Sequence, residues 1–312
     1  MWTCWQSDGG VVLADTAPPS GAPFRWLHLD LWDQRSARWI AGQSGLPADV
    51  QALFLSSDEQ PRVLGQKDAL ALVLPDFQRE FDRDETERIG ALRVAVGPGL
   101  LLTGRHHPLH TPDIFRHRAA HAQELDVESA LELVLNSLID TLAARTTSIL
   151  SELLALEDQI LADESVPDTR ALVALRRLSA RLHRMANGMR FVLFRAAEDP
   201  TIAALHGELW TRMTRKLQPI ERDVVGAQQQ LRLLREELDL QAGQQTNENV
   251  YLLSVITALI MPATLVTGFF GMNTGGMPFE RGGAGTLMAT VVAVGCSIAT
   301  WLLLRTMGLI RR

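Results

Sequence analysis

The sequence predicts an α/β domain, then long α-helices, then two C-terminal helices that cross a membrane. Three observations predict it. The N-terminal part alternates short strand-like runs with Pro and Gly breaks. From Asp126 onward, long stretches follow helical periodicity. The last sixty or so residues hold two apolar runs without a charge, Val250 to Phe270 and Thr286 to Leu304.

The strand-like runs are Phe24 to Leu31, Ala69 to Leu74, Ile89 to Val96 and Leu100 to Thr103. Gly97-Pro98-Gly99 joins the last two as a hairpin turn. Helical stretches near Ser36 to Gln43 and Pro47 to Phe54 complete an α/β domain over 1–125. The segment 126–249 reads as long helices. Asp126 caps a helix from Val127 to about Asp163, and Pro167 opens another from Asp168 to about Ala197. Pro200 and Thr201 begin the next segment. Ile220, Val224, Ala227, Leu231, Leu234 and Leu238 then recur at steps of four and three, as in a coiled-coil seam. This stalk helix is expected from about Ile220 to Phe270, with Pro219 near its start.

Charge is unevenly distributed. Residues 1–249 hold 26 Lys and Arg against 35 Asp and Glu, about −9 on the soluble portion. Such a domain repels nucleic acid and gathers cations, and it is not a basic arm for anionic lipid. Cys4, near a start read as flexible, and Cys296, in an apolar run, build neither a disulfide framework nor a zinc knuckle. Met1 to Gly10 lacks the basic-then-apolar order of a signal peptide. No nucleophile–base pair, phosphate loop or H-E-x-x-H motif points to an enzyme.

The first run, 250–270, has 21 residues and spans roughly 32 Å as a helix; the second, 286–304, has 19 and spans about 28 Å. Both suit a bilayer core. The loop 271–285 carries only Glu280 and Arg281, whereas Arg305, Arg311 and Arg312 mark the tail 305–312. The positive-inside rule therefore places the C-terminus in the cytoplasm, and two spans return the N-terminal domain to the same side of a multi-pass protein. Two helices cannot enclose a pore, so conduction requires a symmetric ring of subunits.

One face of the first span is less apolar than the others: Asn247, Val250, Ser254, Thr257, Met261, Thr264 and Gly268. Such a stripe suits a water-filled lumen, and equally the close packing of helices. Leu253 is placed to form a hydrophobic constriction. The stripe offers no His, Cys or carboxylate, so a crossing ion keeps at least part of its water. The span stops at Gly271-Met272-Asn273, where glycine accepts the left-handed conformation that ends helices. Alone, this triplet is also a plain cap.

The run from Tyr251 to Met277 resembles the CorA superfamily of two-span divalent-cation transporters. Met261-Pro262, the Gly271-Met272-Asn273 turn and Met277-Pro278 carry the resemblance, and Arg311-Arg312 resembles the family's basic end. It implies an α/β cytoplasmic funnel domain with long α-helices, and a homopentamer whose first span lines the pore. It also implies that Asn273 forms the outer selectivity ring. Gly268, Thr264, Met261, Thr257, Leu253, Val250 and Asn247 then lie along the conduction path. The loop Asn273-Thr274-Gly275-Gly276-Met277-Pro278 is most similar to the zinc-associated ZntB branch, with Phe279 where the magnesium branch carries a carboxylate. The implied cargo is zinc, with proton-linked uptake, and no bound cofactor. The alternatives are a magnesium channel, with cobalt or nickel also admissible, and a membrane-anchored scaffold without transport.

His106, His107 and His110 form an H-H-x-x-H cluster, followed by His117 and His121 at i, i+4. The first three are candidate zinc ligands; the plainer reading is a turn before Pro108 and ordinary surface histidines.

Overall fold

A side-chain period of two governs the strands of the N-terminal part, and it sorts their residues onto the faces of one sheet. The computed structural model describes residues 2–7, 10–15, 22–79, 88–161, 169–272 and 285–307. Its elements are β1 (Trp2–Ser7), β2 (Gly10–Ala14), β3 (Arg25–Asp30), α1 (Gln34–Gln43), α2 (Ala48–Leu55), β4 (Arg62–Gln66), β5 (Ala69–Phe77), β6 (Ile89–Gly97) and β7 (Leu100–Arg105). The helices α3 (Thr111–Ala120), α4 (Val127–Leu161), α5 (Thr169–Glu198), α6 (Pro200–Phe270) and α7 (Gly285–Thr306) follow. The chain divides into two compact units, Met1–Leu234 and Arg235–Arg312.

In the first unit the strands form one sheet in the order β2-β1-β3-β7-β6-β5-β4. β3 and β7 run parallel and all other neighbours antiparallel. β6 and β7 are joined through Gly99, whose φ of +66° and close approach to the Pro23 carbonyl both exclude a side chain. On one face Leu27, Leu29, Ala71, Ala95 and Leu102 pack with Ile40, Val50 and Phe54 of α1 and α2. Each such buried Leu, Ile or Phe contributes about 1.5–3 kcal/mol. The alternate residues Trp26 and His28 pack with Trp2 and Phe115 of α3, ring centroids 5.1–5.9 Å apart.

Two charged side chains sit fully inside this unit. The Arg93 guanidinium donates to the carbonyls of Ser56 (2.6 Å), Asp58 (3.1 Å) and Ala91 (3.2 Å), pinning the chain that leaves α2. The Asp76 carboxylate accepts from the Thr111 hydroxyl (2.6 Å), the Thr111 amide (3.1 Å) and the Phe77 amide (2.8 Å). His110 occupies the N-cap position of α3 but makes no side-chain cap bond, so Asp76 caps that helix from β5. Burial pushes the Asp76 pKa up to about 7, against the pull of these hydrogen bonds.

The long helices grow from their predicted signals. Asp126 accepts from the Ser129 amide at 2.8 Å, as an N-cap does. Lys216 of α6 reaches Asp140 of α4 at 2.7 Å, and Arg212 reaches Glu132 at 2.7 Å. The seam residues Ile220, Val224, Ala227, Leu231 and Leu234 are buried within this unit, and Leu238 is half-buried. Hydrogen bonds from Gln228 to the Ser179 carbonyl of α5 and from Gln230 to Glu157 of α4 flank them.

The structure departs from the sequence reading in four places. Cys4 is not in a flexible start: it is buried in β1, paired on both sides by β2 and β3. β1, β2 and β4 were not expected as strands. The stalk helix does not begin near Ile220; α6 starts at Pro200 and departs from helical geometry only at His206 (φ −148°, ψ 42°). Pro219 lies inside the helix, where its penalty of about 3 kcal/mol is offset by the burial of its neighbours Leu217 and Ile220. The expected boundary residues Asp163, Pro167 and Asp168 lie outside the described residues.

Candidate ion-conduction path

The second unit holds the end of α6 and the whole of α7, two helices long and apolar enough to cross a membrane. They meet through small residues. Leu259 and Ala263 of α6 share a groove with Ala293, Ser297 and Trp301 of α7, and Ala293 is the buried residue of that contact. At about 100° per residue, Leu259 and Ala263 lie on roughly the opposite face of α6 from Val250, Thr257, Met261, Thr264 and Gly268. The polar stripe is thus left uncovered by α7. Val250, Leu253 and Met261 are 57–64% exposed in the protomer, and a side chain at Gly268 would meet nothing. Asn247 is exposed one turn earlier, in line with Glu237, Gln241 and Gln244.

The hydroxyls of the stripe share one arrangement. Ser254 donates to the Val250 carbonyl (2.8 Å), Thr257 to Leu253 (2.7 Å) and Thr264 to Ile260 (3.1 Å). Each proton is committed to the helix's own backbone, so each oxygen turns its lone pairs outward. The stripe is therefore a row of acceptors between apolar rungs.

At its end α6 does not use the left-handed exit expected of Gly271. Among the described residues positive-φ glycines occur only at Gly45 and Gly99. The Gly271 amide instead continues the ladder to the Thr267 carbonyl at 2.9 Å, and Met272 closes a tighter turn onto Phe269 at 3.4 Å. Asn273, the Thr274–Phe279 loop, Glu280, Arg281, Arg311 and Arg312 lie outside the described residues.

The histidine cluster is not assembled as a metal site. Among the described residues no three His, Cys, Asp or Glu side chains are grouped to hold an ion. His106 and His107 both pack against the Trp32 ring, at 5.7 and 6.3 Å, while His110 turns into the start of α3. Burial, as the largest cause, lowers the pKa of His106 and of His110. His117 and His121 do meet, rings 4.5 Å apart, but as a pair on one helix end. Sequence reasoning missed the Ala293–Ser297 face of α7, whose small residues carry no signal inside a uniformly apolar run.

The chain thus combines a mixed sheet and long helices with two C-terminal helices apolar enough to cross a membrane, one of them carrying an acceptor stripe. The chain belongs to the family described as CorA-like Mg2+ transporter protein, whose model matches residues 21–306. It is a divalent-cation transporter of that family. It is 27% identical over 293 residues to the divalent cation transporter CmaX of Pseudomonas aeruginosa, covering 90% of this chain and 86% of that one. It is 24% identical to the zinc transport protein ZntB of Photorhabdus laumondii, over 82% and 78% of the two chains. In fold it is similar to the full-length CmaX structure (TM-score 0.80, 22% identity, 98% and 96% covered). The complete CorA magnesium transporter of Methanocaldococcus jannaschii is likewise similar (TM-score 0.81, 16% identity, 99% and 98% covered).

Proposed function

We propose that the chain forms a homopentameric zinc transporter of the inner membrane. Five copies of α6 line its path, and both termini face the cytoplasm. The observation that carries this reading is the acceptor stripe on the face of α6 turned away from α7. A hydrated cation presents the protons of its water shell to the wall, and Ser254, Thr257 and Thr264 answer with oxygen lone pairs. Val250, Leu253 and Met261 keep the wall between them apolar and narrow. Asn273, Gly271, Met272 and Gly268 form the outer entrance and Asn247 the inner one. The amide of Asn273 meets the arriving hydrated ion. The Thr274-Gly275-Gly276 loop and the ZntB relative support zinc as the cargo. The magnesium reading is supported by the family's description and by the similarity to the CorA fold.

Metal flux into proteoliposomes holding the full chain, at set inner and outer pH, tests this. Zinc influx is expected to exceed magnesium influx by about tenfold, and Asn273→Ala to lower it by about tenfold, the equivalent of about 1.4 kcal/mol each. Magnesium carried in preference to zinc replaces the zinc assignment. Flux indifferent to Asn273→Ala returns the spans to mere anchors. Neither span contains an Asp, Glu, Lys, Arg or His. Any dependence on the proton gradient is therefore expected to persist in Cys296→Ala and Glu280→Gln.

A further inference from the structure

Pro262 interrupts the backbone ladder of α6 in the middle of its span. It has no amide proton, so the Ala258 carbonyl loses its helical partner, and the ring strains the adjoining turn. Inside hydrocarbon a loosened backbone carbonyl needs another donor. The donor that α7 brings goes to the neighbouring carbonyl, that of Leu259, in the same turn. The Ser297 hydroxyl donates to the Leu259 carbonyl at 3.1 Å, across the two helices. This is not the habit of the span hydroxyls. Ser254, Thr257, Thr264, Thr290 and Thr300 each return the proton to the carbonyl four residues back on their own helix. Ser297 crosses because Ala293, one turn away, is small enough to bring the backbones together against Leu259 and Ala263.

We propose that Ser297 is a positioning residue for conduction: its hydroxyl fixes the α6 backbone beside the Pro262 break and so sets where Met261 and Thr264 stand on the lumen-facing stripe. The inference rests on α6 lining the path. Leu259 and Ala263 face α7, Met261 and Thr264 face away, and the break lies between them. A change in the tie on one side turns the wall on the other.

The test measures initial zinc flux, and magnesium flux in parallel, against ion concentration in proteoliposomes of the full chain. The variants are Ser297→Ala, Ser297→Thr, Pro262→Ala and the Pro262→Ala/Ser297→Ala double. Ser297→Ala is expected to lower the maximal rate about threefold to tenfold, as loss of one interhelical bond in a membrane does, with the half-saturating concentration unchanged. Ser297→Thr, which keeps the hydroxyl, retains at least about half the rate. Pro262→Ala returns a helical donor to the Ala258 carbonyl and stiffens the turn that the Ser297 bond holds, so adding Ser297→Ala to it lowers the rate by less than about twofold. The proposal is overturned if Ser297→Ala equals wild type. It is equally overturned if Ser297→Thr is as impaired as Ser297→Ala, or if the Ser297→Ala factor is the same in the Pro262→Ala background. Amide exchange over residues 258–264 covers the case in which Pro262→Ala is inactive. Ser297→Ala must accelerate that exchange and Ser297→Thr must not; equal rates sink the idea. Asn273→Ala separates the two readings. If it leaves flux intact, α6 is not the path; if it lowers flux while Ser297→Ala does not, only the positioning role fails.

Discussion

The two units of the chain treat polar groups away from water in opposite ways. The sheet-bearing unit buries ionisable groups and holds each with several fixed partners: Arg93 on three carbonyls, Asp76 on three donors. The spans hold no Asp, Glu, Lys, Arg or His from Val250 to Phe270, and their hydroxyls bond only to backbone. The difference teaches which polar groups each unit leaves open. In the first unit charge is architecture, saturated and unavailable. In the second, polarity is weak, repeated and open on one side.

A charge placed on the stripe breaks the comparison most sharply. Two like unit charges 4 Å apart repel by about 4 kcal/mol at an effective dielectric of 20, and more for a divalent ion. Thr257→Lys is therefore expected to lower cation flux upwards of about a hundredfold. The melting of the first unit should stay unchanged; flux close to wild type would show that Thr257 does not face the ion. Next in size is Arg93→Met. It keeps apolar bulk but leaves the Ser56, Asp58 and Ala91 carbonyls without their buried donor. A loss of about 3 kcal/mol or more is expected in denaturant unfolding, with per-molecule flux of the surviving protein retained.

A third effect sharpens the comparison through pH. Asp76 binds its proton more tightly folded, with a pKa near 7, than at its ordinary value of 3.8. Between those values the folded state carries the extra proton. Wild type is thus expected to lose stability relative to Asp76→Asn as pH rises from about 4 to about 7, by at most about 1.4 kcal/mol per pH unit. Parallel melting curves for the two proteins across that window would contradict it.

Much of this was legible from the chain, and the gaps have physical causes. The spans and β5 to β7 announce themselves because their apolar runs are long or cleanly bounded by Gly and Pro. β1 and β2 were hidden: Trp2–Ser7 mixes Trp, Cys and Gln, and only pairing with β3 gives that mixture a buried face. β4 is five residues with a glycine inside. The early start of α6 was masked by Pro219, a local helix-breaker overruled by the apolar seam around it. Arg93 interrupts a strand-like run and Asp76 lies just past the end of another, and no pattern says whether such a charge faces water or a distant partner. Along the candidate path, the periodicity of Ser254, Thr257 and Thr264 was readable, but the commitment of their protons was not. Ser297 was invisible, because its role depends on which helix it touches. The histidine cluster was the reverse: a spacing apt for a ligand set, dispersed by Trp32 and by the turn into α3.

One consequence follows from the outward lone pairs of Ser254, Thr257 and Thr264. An anion orders its hydration waters with their oxygens outermost, and such a shell needs donors from the wall. These three hydroxyls have none to give, since their protons point into the helix. On the proposed path such a row would sort ions by sign, through the orientation of the water that accompanies them, without a single fixed charge.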